Sequence, residues 1–198
     1  MKILASLCLI ILGYYYLTKP KFVPHEVLAA PLQTELPSTL ILKTPSQKYI
    51  FKSNHAYEIV AMIVSRDRYR FDRLSEISPV DFALAWGPLT LENNLKNISY
   101  SQSGRWYSFR YQDDDKLDID QRDIEQNSSN HHIIPDLNSP SLRDKILSFN
   151  EGQIVKLKGY LVNVTADNGL IWNTSITRDD TGGGACEIFY VTEAMTYY

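Results

Sequence analysis

Cysteine is nearly absent: Cys8 and Cys186 are the only two in the chain. Cys8 falls inside an apolar N-terminal run, so Cys186 stands alone in the rest of the chain and no internal disulfide can staple the downstream fold. That fold must rest on its core. Surplus positive charge is missing too, with 20 Lys and Arg against 23 Asp and Glu and a net charge of −3. Broad nucleic-acid binding normally brings a basic balance, so no nucleic-acid partner is expected. No Cys-x-x-Cys or His-x-x-x-His spacing occurs, and no metal or cofactor is expected. The run Thr181-Gly182-Gly183-Gly184 has no lysine and leads into a strand rather than a helix, which excludes a P-loop. No internal repeat is visible.

What is present begins with a membrane signal. Ile3 to Leu17 is apolar apart from Ser6, Gly13 and Tyr14 to Tyr16, with Lys2 before it and Lys19 and Lys21 after it. A secretory h-region looks like this, and so does a short single-pass anchor. Small residues at −3 and −1 are lacking, because Tyr14 to Leu17 are bulky and Ala29-Ala30 lies too far away and precedes Pro31. Retention as a signal anchor through residues 3–17 is therefore expected, with the tyrosines in an interfacial belt. A run of about 15 to 17 residues is short against the about 20 that span a bilayer, so it would need snorkelling lysines or local thinning. The expected order is an anchor over 1–19, a spacer over 20–48 and a globular extracytoplasmic domain over 49–198. Five of the nine prolines (Pro20, Pro24, Pro31, Pro37 and Pro45) make the spacer extended and semi-rigid.

Residues 56–64 are rich in Ile, Val and Tyr and predict a strand, and Thr39 to Leu42 offers a short one within the spacer. Ser78-Pro79-Val80-Asp81 has the pattern of a helix start, and Gly87-Pro88 would end that helix after Trp86. Asn97–Gln102 and Arg105–Tyr111 read as a hairpin about Ser103-Gly104. The acidic stretch from Asp113 to Glu125 reads as a solvated loop. Ser139-Pro140 starts a second helix reaching Phe149. Gln153–Thr165 is a long strand, Asn168-Gly169 a turn, Leu170–Thr177 its return, and Ala185–Thr192 the last strand. The expected fold class is α+β, mainly antiparallel β with two short helices, arranged as a small OB-like barrel because the glycine spacing of Gly152 to Gly159 suits a strongly curved strand.

Several groups of these motifs resemble, in order, a family of bacterial membrane-associated proteins that are anchored at the N-terminus and have no assigned activity. The shared features are Ser78-Pro79-Val80-Asp81 with Trp86-Gly87, Ser101-Gln102 with Arg105-Trp106-Tyr107, Asn130-His131-His132-Ile133-Ile134-Pro135, and Arg178 to Gly182 with Ala185-Cys186-Glu187. The resemblance covers residues 56–192. It implies a bacterial inner-membrane protein with its soluble domain in the periplasm, and it transfers no catalytic role.

The sharpest chemistry in the chain is a thiol site. Cys186 follows a glycine run, His131 and His132 lie in what reads as a polar loop, and Asp179 or Asp180 is positioned to orient an imidazole. The candidate catalytic set is Cys186, His132 and Asp180. Its plain alternative makes Cys186 a small hydrophobe sharing a strand face with Ile188 and Tyr190. The candidate binding residues are Arg178, Glu187, Trp106 and Trp172, whose rings and charges suit a sugar or peptide groove. Arg66, Arg68, Arg70 and Arg73 alternate with Asp67 and Asp72 and read as internal ion pairs rather than an anion grip. The expected function is a membrane-anchored binding or accessory module of the bacterial envelope, with an envelope protein or glycan as partner. The alternatives are a Cys186/His132-dependent hydrolase or transferase and a structural subunit of a membrane assembly.

Overall fold

Val, Ile and Tyr recur through residues 49–68 and 154–166, and these become the two longest strands of the computed structural model, which describes residues 27–44, 48–111, 117–177, 182 and 184–197. The strands are β1 (Leu32–Lys43), β2 (Tyr49–Arg68), β3 (Val80–Ala85), β4 (Ile98–Ser103), β5 (Trp106–Tyr111), β6 (Ser128–Pro135), β7 (Ile154–Ala166), β8 (Ile171–Trp172) and β9 (Glu187–Thr196). Among the described residues three short α-helices intervene: α1 (Glu92–Asn97), α2 (Gln121–Asn127) and α3 (Pro140–Ser148). Among the described residues no helix is long and apolar enough to cross a membrane, and the expected anchor lies outside them.

Seven strands form one mixed sheet in the order β1-β2-β3-β6-β9-β7-β8, and β4 and β5 form a separate hairpin. Every pairing is antiparallel except β6 with β9. β7 pairs with β2 as well, from Tyr49↔Ala166 to Met62↔Ile154, so the pairings lead from β2 through β3, β6, β9 and β7 back to β2. The alternation of side chains divides most apolar residues of the large sheet into two packed groups, and Ala85, Leu89, Ile98 and Ile124 form a third. Tyr57, Ile59, Phe82, Ile133, Leu157 and Phe189 belong to one, closed at an end by Ile146 and Phe149 around α3. Phe51, Ile77, Ile134, Val162, Ile188 and Tyr190 belong to the other.

Five segments depart from their local sequence signals, the first being the expected return strand Leu170–Thr177, of which only Ile171–Trp172 pairs with β7. Val80–Ala85 is a strand rather than a helix, because all six residues are buried between β2 and β6 and tertiary packing overrides the Ser-Pro start signal. Ser128–Pro135 is a central strand rather than a polar loop, so His131 and His132 are buried. Leu32–Lys43, within the expected spacer, pairs with β2, and a register shift between Glu35 and Leu40 accommodates Pro37, which has no N–H to give the ladder. The end of the acidic stretch folds as α2, started by a capping box between Asp120 and Asp123. With α1, also unexpected, and the loss of the Ser78 helix, the described residues hold three α-helices rather than two.

Gly159 lets β7 serve two partners. It pairs with Tyr57 of β2 and sits at the register shift against β9, where a Cβ would overlap the carbonyl oxygen of Tyr190. Gly159→Ala should therefore force β7 and β9 apart and cost about 2 to 3 kcal/mol, read as a lowered urea midpoint with an unchanged slope.

Candidate functional site

Strand register brings three reactive side chains together. Asp81 lies opposite His132 across β3 and β6, and His132 lies beside Ile188 across β6 and β9. Side chains repeat every second residue, so Cys186, two before Ile188, returns to the face that carries His132 and Asp81. His132 Nδ1 donates to Asp81 Oδ2 at 2.8 Å. That leaves Nε2 as the ring nitrogen free to meet the Cys186 thiol, which lines the same cavity as the imidazole. Burial opposes charge on His132, but the bonds to Asp81 and Cys186 outweigh it and raise its pKa from 6.5 to about 9.

The second oxygen of Asp81 is held from outside the sheet. The β4–β5 turn places Gly104 at φ 58° and Arg105 at φ 69°, the two positive values of a type I′ turn. A left-handed conformation costs a non-glycine residue about 1 to 2 kcal/mol, and the contacts of Arg105 offset that cost. Its Nε and Nη2 grip the two oxygens of Asp72 at 2.8 and 3.0 Å, and its Nη1 donates to Asp81 Oδ1 at 3.2 Å. Nη2 also donates to the Ser78 carbonyl at 2.9 Å, and the guanidinium lies 4.1 Å over the Tyr69 ring. Burial pushes the Asp72 carboxyl up, but the Arg105 bonds prevail and hold it below its ordinary value.

Cys186 is half-buried and has a further donor. Asn130, itself buried, points Nδ2 at the sulfur from 3.8 Å and at the Arg105 carbonyl from 3.2 Å, while its Oδ1 accepts from Gln102 Nε2. Two cavities meet at the thiol. One, of about 380 Å³, is lined by Arg105, Trp106, His132, Trp172 and Cys186, and the Trp172 ring lies 4.8 Å from that of His132. The other, of about 360 Å³, is lined by Trp106, Tyr107, Phe109, Asn130 and Cys186. Both fall within the range of small-ligand sites.

Of the residues singled out from sequence, Cys186, His132, Trp106 and Trp172 come together here. Glu187 also lines the second cavity, but its carboxyl is buried, 4.0 Å from the His131 Nε2 that bonds Tyr57 Oη at 3.1 Å. Arg178 and Asp180 lie outside the described residues, and the carboxyl that orients His132 among those described is Asp81. Asp81, Arg105, Asn130 and Gln102 escaped sequence reasoning. One signal was available, an aspartate alone in the apolar run Val80–Ala85, which is costly in a buried strand unless paired. Arg66 has a structural role, donating Nη2 to the Leu147 carbonyl at 2.9 Å. Among the described residues no group of three His, Cys, Asp or Glu is placed to hold a metal ion.

The raised pKa of His132 ties stability to pH. The folded state keeps the proton to about pH 9 against an ordinary 6.5, so this contribution is fully present below about pH 6.5 and is lost as pH rises through 9. It amounts to on the order of 3 kcal/mol. Urea unfolding at pH 6 and pH 10 should show the advantage of the wild type over His132→Gln shrinking by that order; an advantage independent of pH would refute the pairing. No family model matches the chain, and no curated protein or solved structure matches it.

Proposed function

We propose that this chain is a membrane-anchored extracytoplasmic module of the bacterial envelope that binds a glycan on the outer face of β3 and β6. The return of the pairings from β7 to β2, the parallel β6–β9 pair and the placement of α3 between β6 and β7 support an OB-like reading of the sheet. OB-type proteins bind oligosaccharides or oligonucleotides on their second and third strands, between the first and last inter-strand loops. In that reading β3 and β6 are those strands. Tyr69, Asp72 and Ser78 come from the first loop, and Trp172 and Cys186 from the last.

The observation that carries the proposal is the cavity at that place, lined by Trp106, Trp172 and Arg105, whose guanidinium lies 5.7 Å over the Trp172 ring. Indole faces give large contact at low entropic cost, which suits sugar rings, and the net charge of −3 disfavours an oligonucleotide. The apolar run of residues 3–17 and the family resemblance over residues 56–192 support a bacterial inner-membrane location with the domain in the periplasm. Leu28 bridges to Gly87, at the end of β3 away from Asp81 and roughly 20 Å along it, so a tether entering there leaves the cavity clear of the bilayer.

Titration of the full chain with oligomers of the N-acetylglucosamine–N-acetylmuramic acid repeat should quench its tryptophan fluorescence saturably. Trp172→Ala should weaken that binding at least tenfold while leaving the unfolding free energy from urea titration within about 1 kcal/mol of the wild type. Absence of saturable quenching in the wild type would sink the glycan reading.

A further inference from the structure

We infer that Cys186 is a nucleophile for acyl transfer, with His132 as its acid–base partner, Asp81 as the residue positioning that imidazole, and an O-acylated sugar as the substrate class. The inference rests on the glycan-binding face proposed above and adds a reaction to it. A structural cysteine sits among apolar side chains, whereas Cys186 is half-buried, lines two cavities and faces two donors, the His132 ring and the Asn130 amide. Each donor is fixed by a partner behind it, His132 by Asp81 and Asn130 by Gln102. Nucleophile, base and orienting carboxyl in one line is the arrangement that activates a side chain for acyl chemistry.

The cavities divide a substrate at the sulfur. The groove of Tyr107 and Phe109 suits the acyl group, and the cavity of Trp172 and Arg105 suits the sugar that carries it. With the proton already held on His132, the Cys186 sulfur attacks the ester carbonyl carbon as the anionic partner of the imidazolium. A C–S bond forms, and the carbonyl oxygen becomes an oxyanion beside Asn130 Nδ2. The C–O bond to the sugar then breaks, and His132 gives that proton to the departing sugar oxygen. Water attacks the thioester with the now neutral His132 as base, the C–S bond breaks, and the sulfur leaves as the anion beside the reprotonated His132. The net reaction consumes one water and yields a free acid and a sugar hydroxyl. Disulfide chemistry fits poorly, since Cys8 in the N-terminal run is the only other thiol.

His132 faces Asp81 from β3, Arg105 with Asp72 behind it from the hairpin turn, and Cys186 from the approach to β9; His131 and Glu187 point to the opposite face. Asp81→Asn removes the carboxylate without removing its shape. It should move the pH dependence of acylation down by about one unit or more, which lost packing alone would not do.

The deciding experiment mixes the full chain with 4-nitrophenyl butyrate at pH 7. A burst of about one equivalent of nitrophenolate and a butyryl mass shift on the Cys186 peptide are expected, and both should vanish in Cys186→Ala. Hydrolysis equal in the wild type and Cys186→Ala, with no adduct on Cys186, would overturn the inference. If Cys186→Ala does not fold, the rate of iodoacetamide labelling of Cys186 decides: at least tenfold faster in the wild type than in His132→Gln supports the inference, and equal rates overturn it. Glycan quenching is read on the same samples, so loss of the chemistry with quenching retained removes only the catalytic step, and loss of both removes the binding face as well.

Discussion

One buried carboxyl, that of Asp81, organises this end of the molecule. Its side chain is 0% exposed, with one oxygen on the His132 imidazole and the other on the Arg105 guanidinium. An ionised carboxylate so deeply desolvated is tolerable only when both oxygens are engaged, and stripping a partner from a buried pair costs about 3 to 5 kcal/mol. The partners arrive from different elements: His132 from β6, Arg105 from the β4–β5 turn, and Asp72, which holds the far side of Arg105, from the β2–β3 connection. Two carboxyl groups and two basic groups thus tie four chain segments into one balanced cluster. Much of the local fold is a consequence of satisfying Asp81.

The adjacent histidines show how strand alternation divides labour. His131 turns inward among Tyr57 and Phe189, with Glu187 beside it, and helps to fill the core. His132 turns outward to Asp81, Cys186 and Trp172. A shift of one residue in β6 would exchange the two roles and break both networks at once. The register is therefore set twice, by apolar packing on one face and by the charge cluster on the other.

Strong local signals in the sequence survive folding: the hairpin about Gly104, the helix begun by Pro140 and the long strand ending near Asn168-Gly169 all appear. The failures share a cause. Val80–Ala85 carries a helix-start signal and Ser128–Pro135 starts with polar residues, yet both are central strands, because their neighbours bury them on two sides. Pairing of that kind links residues some fifty positions apart and leaves no short-range trace. Cys186, His132 and the two tryptophans were legible as chemistry-bearing types. Asp81 was hidden by its misread element, and Arg105 looked like a turn residue because its partners, Asp72, Ser78 and Asp81, lie on a segment more than twenty residues earlier.

The charge cluster and the ligand face are not separable parts. Trp106 directly follows Arg105, so the turn that delivers the guanidinium to Asp81 also sets the indole between the two cavities. Trp106 is 60% exposed and has little packing of its own to hold it there. Its position is inherited from the grip of Arg105 on Asp72 and Asp81. Asn130 extends the same logic, because the amide aimed at the Cys186 sulfur is shared with the Arg105 carbonyl. A guanidinium that never touches the thiol therefore sets both the ring beside it and the amide that faces it, and a bidentate fork with a ring stacked beneath it is a geometry that lysine cannot reproduce.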